Sequence, residues 1–178
     1  MPKTKDTLRC VYPQEEIARR IREIGAEINT LYEGQDLVAV CVLKGAFMFF
    51  SDLMKELTVL PQIDFVRLAS YGSGTETTGD VMLVKDVDIS LEGKHVLIVE
   101  DVIDSGHSMD FLLRLFKMRG AASLRLAVLV DKRERREVSV VPDFAGFTLN
   151  EGFIVGYGLD YAEYYRELPA IYEVVFDE

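Results

Sequence analysis

The chain has 178 residues, 49% of them apolar, which is enough to bury one core of ordinary size and rules out a disordered chain. Its net charge of −10 excludes a protein that grips nucleic acid through a broad basic face. Cys10 and Cys41 make no disulfide framework, residues 1–7 carry no apolar signal segment, and no apolar stretch is long enough to span a membrane, so a reducing cytoplasm is expected.

Pro13 opens a helical pattern in which Ile17, Ile21, Ile24, Ile28 and Leu31 recur at spacings of four and three, and Gly34 ends it. Residues 37–43 form a solid apolar run, predicted as a buried strand. Lys44-Gly45-Ala46 is a tight turn, and 47–57 returns as a helix with Phe47, Phe50, Met54 and Leu57 on one side. Residues 63–68 read as a strand with partial alternation, and 70–80 (SYGSGTETTGD) is the only long turn-rich stretch. Strands are predicted at 81–85 and 95–99, with a polar turn around Glu92-Gly93 between them. A helix over 109–119 ends at Gly120, a buried strand follows at 124–130, and short strands are predicted at 153–157 and 171–176.

This alternation predicts an α/β fold, a mostly parallel doubly wound sheet flanked by helices, in one domain spanning 1–178. Ligands of such sheets bind beyond the carboxyl ends of the strands, at a switch in strand order. The Lys44 turn, the Asp104 loop, Asp131-Lys132 and residues 156–160 all follow strands and are expected to converge on that edge.

Residues 99–109, VEDVIDSGHSM, carry the most chemistry. Glu100 and Asp101 fall where the 95–99 strand is expected to end; Asp104 and a Ser-Gly-His-Ser turn then lead into a helix. Loop amides and the first N–H groups of a helix make an anion cradle. Gly106 lets a ligand approach the backbone closely, and Ser105 and Ser108 add hydroxyl donors. Carboxylates beside a phosphate make sense if the ligand is a sugar phosphate whose hydroxyls need acceptors, or if a divalent cation sits between. Taken singly, each residue has an ordinary reading: acids end strands, Asp104 or Asp160 caps a helix, Phe153 packs in a core, and Lys132 lies in DKRERRE, a solvated charged turn.

VLIVEDVIDSGHSM resembles the phosphoribosyl-pyrophosphate motif of the type I phosphoribosyltransferases, and within them the chain is similar to the hypoxanthine-guanine phosphoribosyltransferases from about residue 37 to 166. VCVLKGAFMFF resembles their pyrophosphate loop and VRLASYGSGTETTGD their mobile catalytic loop. LVDKR, PDFAGF and FIVGYGLDYAEYYRELP resemble their purine-binding segments.

The resemblance implies the type I fold, with a small hood formed by the N-terminal segment and roughly 145–178. It implies transfer of a 5-phosphoribosyl group from phosphoribosyl pyrophosphate to a 6-oxopurine. Glu100 and Asp101 would accept from the ribose hydroxyls, with or without magnesium. Asp104 would act as general base or acid at purine N7, and Asp104, Ser105, Gly106, His107 and Ser108 would wrap the 5′-phosphate. Lys44 and Gly45 would bind pyrophosphate after a Leu43–Lys44 peptide that is often cis in the family, and Arg166 would add a second cation. Lys132 would donate to O6, Phe153 would stack on the base, the Ile154 backbone would read the ring edge, and Asp160 would ligate magnesium. Ser70 and Tyr71 would close over the reacting centre and exclude water. His107, where the family more often carries Lys, Arg or another residue, and Ser108, where Thr is usual, depart from the pattern. The family implies small-molecule substrates, neither nucleic acid nor membrane as partner, and a homodimer or homotetramer. Two other function classes share parts of this pattern. A regulator of this fold that binds RNA is opposed by the acidic balance and by Lys44, Asp104, Lys132 and Arg166; a phospho-acceptor receiver would need neither the Ser70 loop nor the aromatic segment after Phe153.

Overall fold

The structure, a computed structural model, describes residues 7–70 and 81–176. Twelve elements follow one another: β1 (Thr7–Tyr12), α1 (Gln14–Leu31), β2 (Leu37–Leu43), α2 (Phe47–Glu56), β3 (Gln62–Ser70), β4 (Val81–Lys85), β5 (His95–Ile103), α3 (His107–Met118), β6 (Ser123–Lys132), β7 (Phe144–Leu149), β8 (Ile154–Val155) and β9 (Ile171–Val175). Six strands form the main sheet in the order β4-β3-β2-β5-β6-β7. The pairs β3–β2, β2–β5, β5–β6 and β6–β7 are parallel, and only the edge pair β3–β4 is antiparallel. From β2 the chain steps outward to β3, then returns to place β5 on the other flank. The strand order therefore reverses between β2 and β5, where a parallel sheet opens a crevice at its carboxyl edge.

Both faces of the sheet are covered, and the alternation of side chains shows how. Leu37, Ala39 and Cys41 of β2 pack with Ile17, Ile21, Ile24 and Ile28 of α1 and with Phe49, Phe50 and Leu53 of α2. Val38, Val40 and Val42 face the opposite way, toward Met109, Leu112 and Phe116 of α3. A strand buried on both faces must be apolar at every position, which is why LVAVCVL reads as a solid run. The second sheet, β1-β9-β8, is antiparallel and joins the two ends of the chain, with Thr7 opposite Val175 and Ile154 opposite Glu173.

Four expectations need correction. First, β5 does not stop before Glu100 but runs to Ile103, because β6 offers a ladder partner that far, with Glu100 opposite Val128 and Ile103 opposite Asp131. Second, α2 buries Phe49, Phe50 and Leu53; Phe47 is 44% exposed, so the buried stripe lies one position round from the one expected. Third, the strand expected at 153–157 shrinks to two residues, since 156–158 turn through positive φ at Gly156, Tyr157 and Gly158. Fourth, two strands stand where the sequence pattern predicts none, β1 and β7, neither of which carries a periodic signal.

Candidate active site

The carboxyl ends of β5 and β6 meet two cavities that share a wall. The smaller, about 170 Å³, lies in the β5–α3 loop between Glu100, Asp104, Ser105, Gly106 and Ser108. The larger, about 410 Å³, is bounded by Asp101, Asp104, Lys132, Phe153, Ile154 and Asp160, with Glu134 and Arg135 at its rim. Asp101, Val102 and Asp104 line both. A further cavity of about 220 Å³ between α1 and α2 takes only Tyr157 from the motif segments and none of the candidate site residues.

The loop of the smaller cavity is shaped by backbone demands. Gly106 precedes α3 with φ 94°. A Cβ there would sit 3.1 Å from the Val138 carbonyl oxygen and 3.2 Å from Arg136 Cδ, so both its conformation and its neighbours call for glycine. One oxygen of Asp104, Oδ1, is buried without a hydrogen-bond partner among the described residues. An unpaired buried acceptor is costly, and this one stands where both cavities meet. Glu100 is buried, and burial together with the charge of adjacent Asp101 pushes its carboxyl well above the usual range. Its Oε1 accepts from the Asp101 amide at 3.0 Å.

In the larger cavity Lys132 Nζ donates to the Gly152 carbonyl at 3.0 Å. Phe153 is 42% exposed, and its ring packs edge-on to Tyr161 with ring centroids 5.3 Å apart. Ile154 is buried and paired to β9, which fixes its backbone at the cavity wall.

The Lys44 turn reaches the same place from β2. The Leu43–Lys44 peptide is cis. Asp101 packs directly over Gly45, and a Cβ on Gly45 would lie inside its carboxylate, 2.5 Å from Cγ. Gly158 in turn packs on the Gly45 carbonyl, closing the 156–158 turn against the loop. Lys44 Nζ contacts both oxygens of Glu163 at 3.0 Å. Arg166 contacts Glu163 at 3.1 Å and Asp160 at 2.8 Å and donates to the Gly158 carbonyl at 2.8 Å. Lys44, Glu163, Arg166 and Asp160 thus form a chain of alternating charge leading into the larger cavity. The Lys44 ammonium and the Arg166 guanidinium hold the Glu163 carboxyl below its ordinary range.

The sequence candidates therefore gather on one edge, with three qualifications. The His107 ring turns away from the smaller cavity toward Glu137, its Nε2 lying 2.8 Å from Oε2. The side chain of Ser70 and all of Tyr71 lie outside the described residues. Among the described residues no three His, Cys, Asp or Glu side chains are grouped to hold a metal, so Glu100, Asp101 and Asp160 do not form a metal cage by themselves. Sequence reasoning missed Glu163, which nothing in its spacing marks. It also missed Arg136, hidden in a charge run that reads as solvated.

Comparison with known proteins identifies the family. The family model described as "Phosphoribosyl transferase domain" matches residues 10–162. A hypoxanthine phosphoribosyltransferase of Escherichia coli is 45% identical over 173 residues, covering 96% of this chain and 97% of that protein. A hypoxanthine-guanine phosphoribosyltransferase of Bacillus subtilis is 42% identical over 166 residues, covering 93% and 92%. Among solved structures, a hypoxanthine-guanine phosphoribosyltransferase from Bacillus anthracis with a HEPES molecule in its active site superposes with a TM-score of 0.90 at 42% identity, covering 94% of this chain and 98% of that one.

Proposed function

The chain belongs to the phosphoribosyl transferase domain family, and from that membership we propose that it is a purine-salvage enzyme. It transfers the 5-phosphoribosyl group of phosphoribosyl pyrophosphate to hypoxanthine, and to guanine in the same pocket, giving the nucleotide and pyrophosphate. The regulator alternative is not favoured, since the relatives compared above are all named as transferases. The observation that carries the reading at this site is Asp104. Its buried, unpaired oxygen stands between a cavity of loop amides and hydroxyls and one lined by an aromatic ring and a lysine.

The division of labour follows from that placement. The loop of Asp104 to Ser108 takes the 5′-phosphate, while Glu100 and Asp101 accept from the ribose hydroxyls. Phe153 covers the face of the base, Lys132 donates to O6, the Ile154 backbone meets the ring edge, and Asp104 holds or receives the N7 proton. The transition state is loose and cation-like at ribose C1, so no protein nucleophile is needed. Positioning N9 against C1 and neutralising the departing diphosphate do the work, the latter through Lys44, the Gly45 backbone and Arg166. Ser70 and Tyr71 close the site in this reading.

Magnesium belongs to the reading as cofactor. It binds through one or two carboxylates and completes its shell with water and substrate phosphates, so the absence of an all-protein cage among the described residues does not count against it. Asp101 and Asp160, which line the same cavity, are the residues fitted to hold it, and Glu100 lies behind in the smaller one. When bound it supplies charge neutralisation to the leaving diphosphate.

Self-association is supported by an uncovered apolar strip beside α2. Phe47, Ile63, Phe65, Met82 and Val84 are each 38–48% exposed; on β3 they alternate with buried Asp64 and Val66, and on β4 with half-buried positions. A homodimer or homotetramer would cover them. A cytoplasmic setting fits the free thiols of Cys10 and Cys41, and no helix of the described residues is long and apolar enough to cross a membrane.

The test is direct. The chain is mixed with phosphoribosyl pyrophosphate, magnesium and hypoxanthine or guanine, and the nucleotide is measured. Asp104→Asn should lower kcat by about 10²- to 10⁴-fold while leaving the fold intact. No nucleotide from either base would remove the enzyme reading.

A further inference from the structure

Arg136 lies in DKRERRE, yet its side chain is only 16% exposed. Its guanidinium touches two walls of the site at once. Nε donates to the Asp104 carbonyl at 2.9 Å and Nη2 to the Ile103 carbonyl at 3.3 Å. Nη2 also donates to the Lys132 carbonyl at 3.0 Å and meets Asp131 Oδ1 at 2.5 Å, while Nη1 donates to the Val140 carbonyl. Asp131 is 2% exposed, so the charge pair that anchors the guanidinium is itself buried. The neighbouring backbone adds to the grip. The amides of Glu137 and Val138 donate to the Ser105 carbonyl at 2.9 and 3.1 Å.

These bonds have a directional consequence. In a trans peptide the C=O of one residue and the N–H of the next point opposite ways. Residues 136–138 take the carbonyls of Ile103, Asp104 and Ser105 to one side. The amides of Asp104, Ser105 and Gly106 are thereby turned to the other, the side of the smaller cavity. Those of Ser105 and Gly106 make no hydrogen bond among the described residues.

We infer that Arg136 is a positioning residue. It aims the phosphate-binding amides and, through the Lys132 carbonyl, holds the purine-side lysine in register with them. It touches no substrate. The inference rests on the transfer reading above and adds to it a coupling between the phosphate and base subsites.

The experiment is steady-state kinetics of the full chain with Arg136→Lys. Lysine keeps the charge beside Asp131 but lacks the planar fork that reaches several carbonyls. KM for phosphoribosyl pyrophosphate and KM for hypoxanthine should rise together, each roughly tenfold, with a smaller change in kcat. Arg133→Gln removes the other partner of Asp131, 2.9 Å away on an exposed side chain, and should leave both constants as they are. If Arg136→Lys proves too unstable to assay, Gly106→Ala probes the clasp from the loop side, because its Cβ crowds Arg136 Cδ and the Val138 oxygen. It too should raise both constants. A folded Arg136→Lys or Gly106→Ala variant with either KM within about twofold of the parent overturns the coupling. Wild-type turnover in the same assay separates the two ideas: a silent wild type removes the transferase reading, whereas an active wild type with unmoved variants removes only the clasp.

Discussion

Gly45→Ala tests how the β2 turn and the β5 carboxylate share space. Gly45 does not have positive φ, so alanine brings no backbone strain, only a methyl group. That methyl would lie 2.5 Å from Asp101 Cγ, where ordinary carbon contacts are about 3.5–4.0 Å. The turn cannot retreat, because its carbonyl already bears on Gly158. The carboxylate is the free end of a side chain and must swing away instead. Fold stability should change little, while the hydrogen bonds that the proposed function assigns between the ribose hydroxyls and Asp101 should be lost. Such bonds to a charged group contribute about 1.5–3 kcal/mol, roughly a 10- to 150-fold fall in kcat/KM for phosphoribosyl pyrophosphate. Thermal melting and initial rates of nucleotide formation read the two effects separately. Because both changes act on one contact, Gly45→Ala added to Asp101→Ala should cost little more than Asp101→Ala alone. A well-folded Gly45→Ala enzyme with kcat/KM within about twofold of the parent would refute the argument.

Phe116, fully buried under the sheet, should cost about 3–5 kcal/mol on truncation to alanine, seen as a melting temperature lower by roughly 6–20 °C with KM unchanged; a shift of a degree or two would mean that this face is loosely packed. Burial alone would raise the Asp64 carboxyl, but the amides of Phe65, Asp88 and Ile89 and the Lys85 ammonium outweigh it and hold it below the usual range. Its contribution to stability is therefore fully present above the unfolded pKa of about 3.9 and is lost as pH falls through the folded value, so Asp64→Asn should lower stability at pH 7 and flatten the acid limb of a melting-versus-pH curve; a parallel curve would contradict this. Glu163 holds both cations assigned to pyrophosphate, so Glu163→Gln should lower the inhibition constant of pyrophosphate a few-fold, less so at high salt; weaker inhibition would show that Glu163 assists the ligand and does not compete with it.

What the sequence makes legible is what is local. Periodicity in α1 and the solid run of β2 depend on neighbours within a few residues, and both elements fall where the pattern places them. β1 and β7 depend on distant partners. Thr7–Tyr12 has no fully buried residue and forms a strand because β9, more than 150 positions away, offers a ladder; Phe144–Leu149 forms one because β6 does. Two apolar stripes compete on α2, and only the sheet decides that Phe49 and Leu53 go in while Phe47 goes out. The motif loop was readable because its residue types are unusual together. Arg136 was not, because a guanidinium in a charge run is buried only if carbonyls from another segment come to meet it.

The site also explains how an acidic protein handles a polyanion. With a net charge of −10, the distant field repels phosphate, but at physiological salt that field is screened over about 8 Å. What remains is local. Uncharged loop amides donate without regard to the net charge, and Lys44, Lys132 and Arg166 supply cations at separate points of the same edge. The carboxylates then act as a filter. A free phosphate meets Asp101, Asp104 and Asp160 as like charges and gains nothing from them. On the proposed assignment a sugar phosphate would bring hydroxyls to the first, and a purine would bring a ring proton to the second. Negative charge beside an anion site, which looks wrong by Coulomb's law alone, becomes a requirement that the anion arrive attached to the right donors.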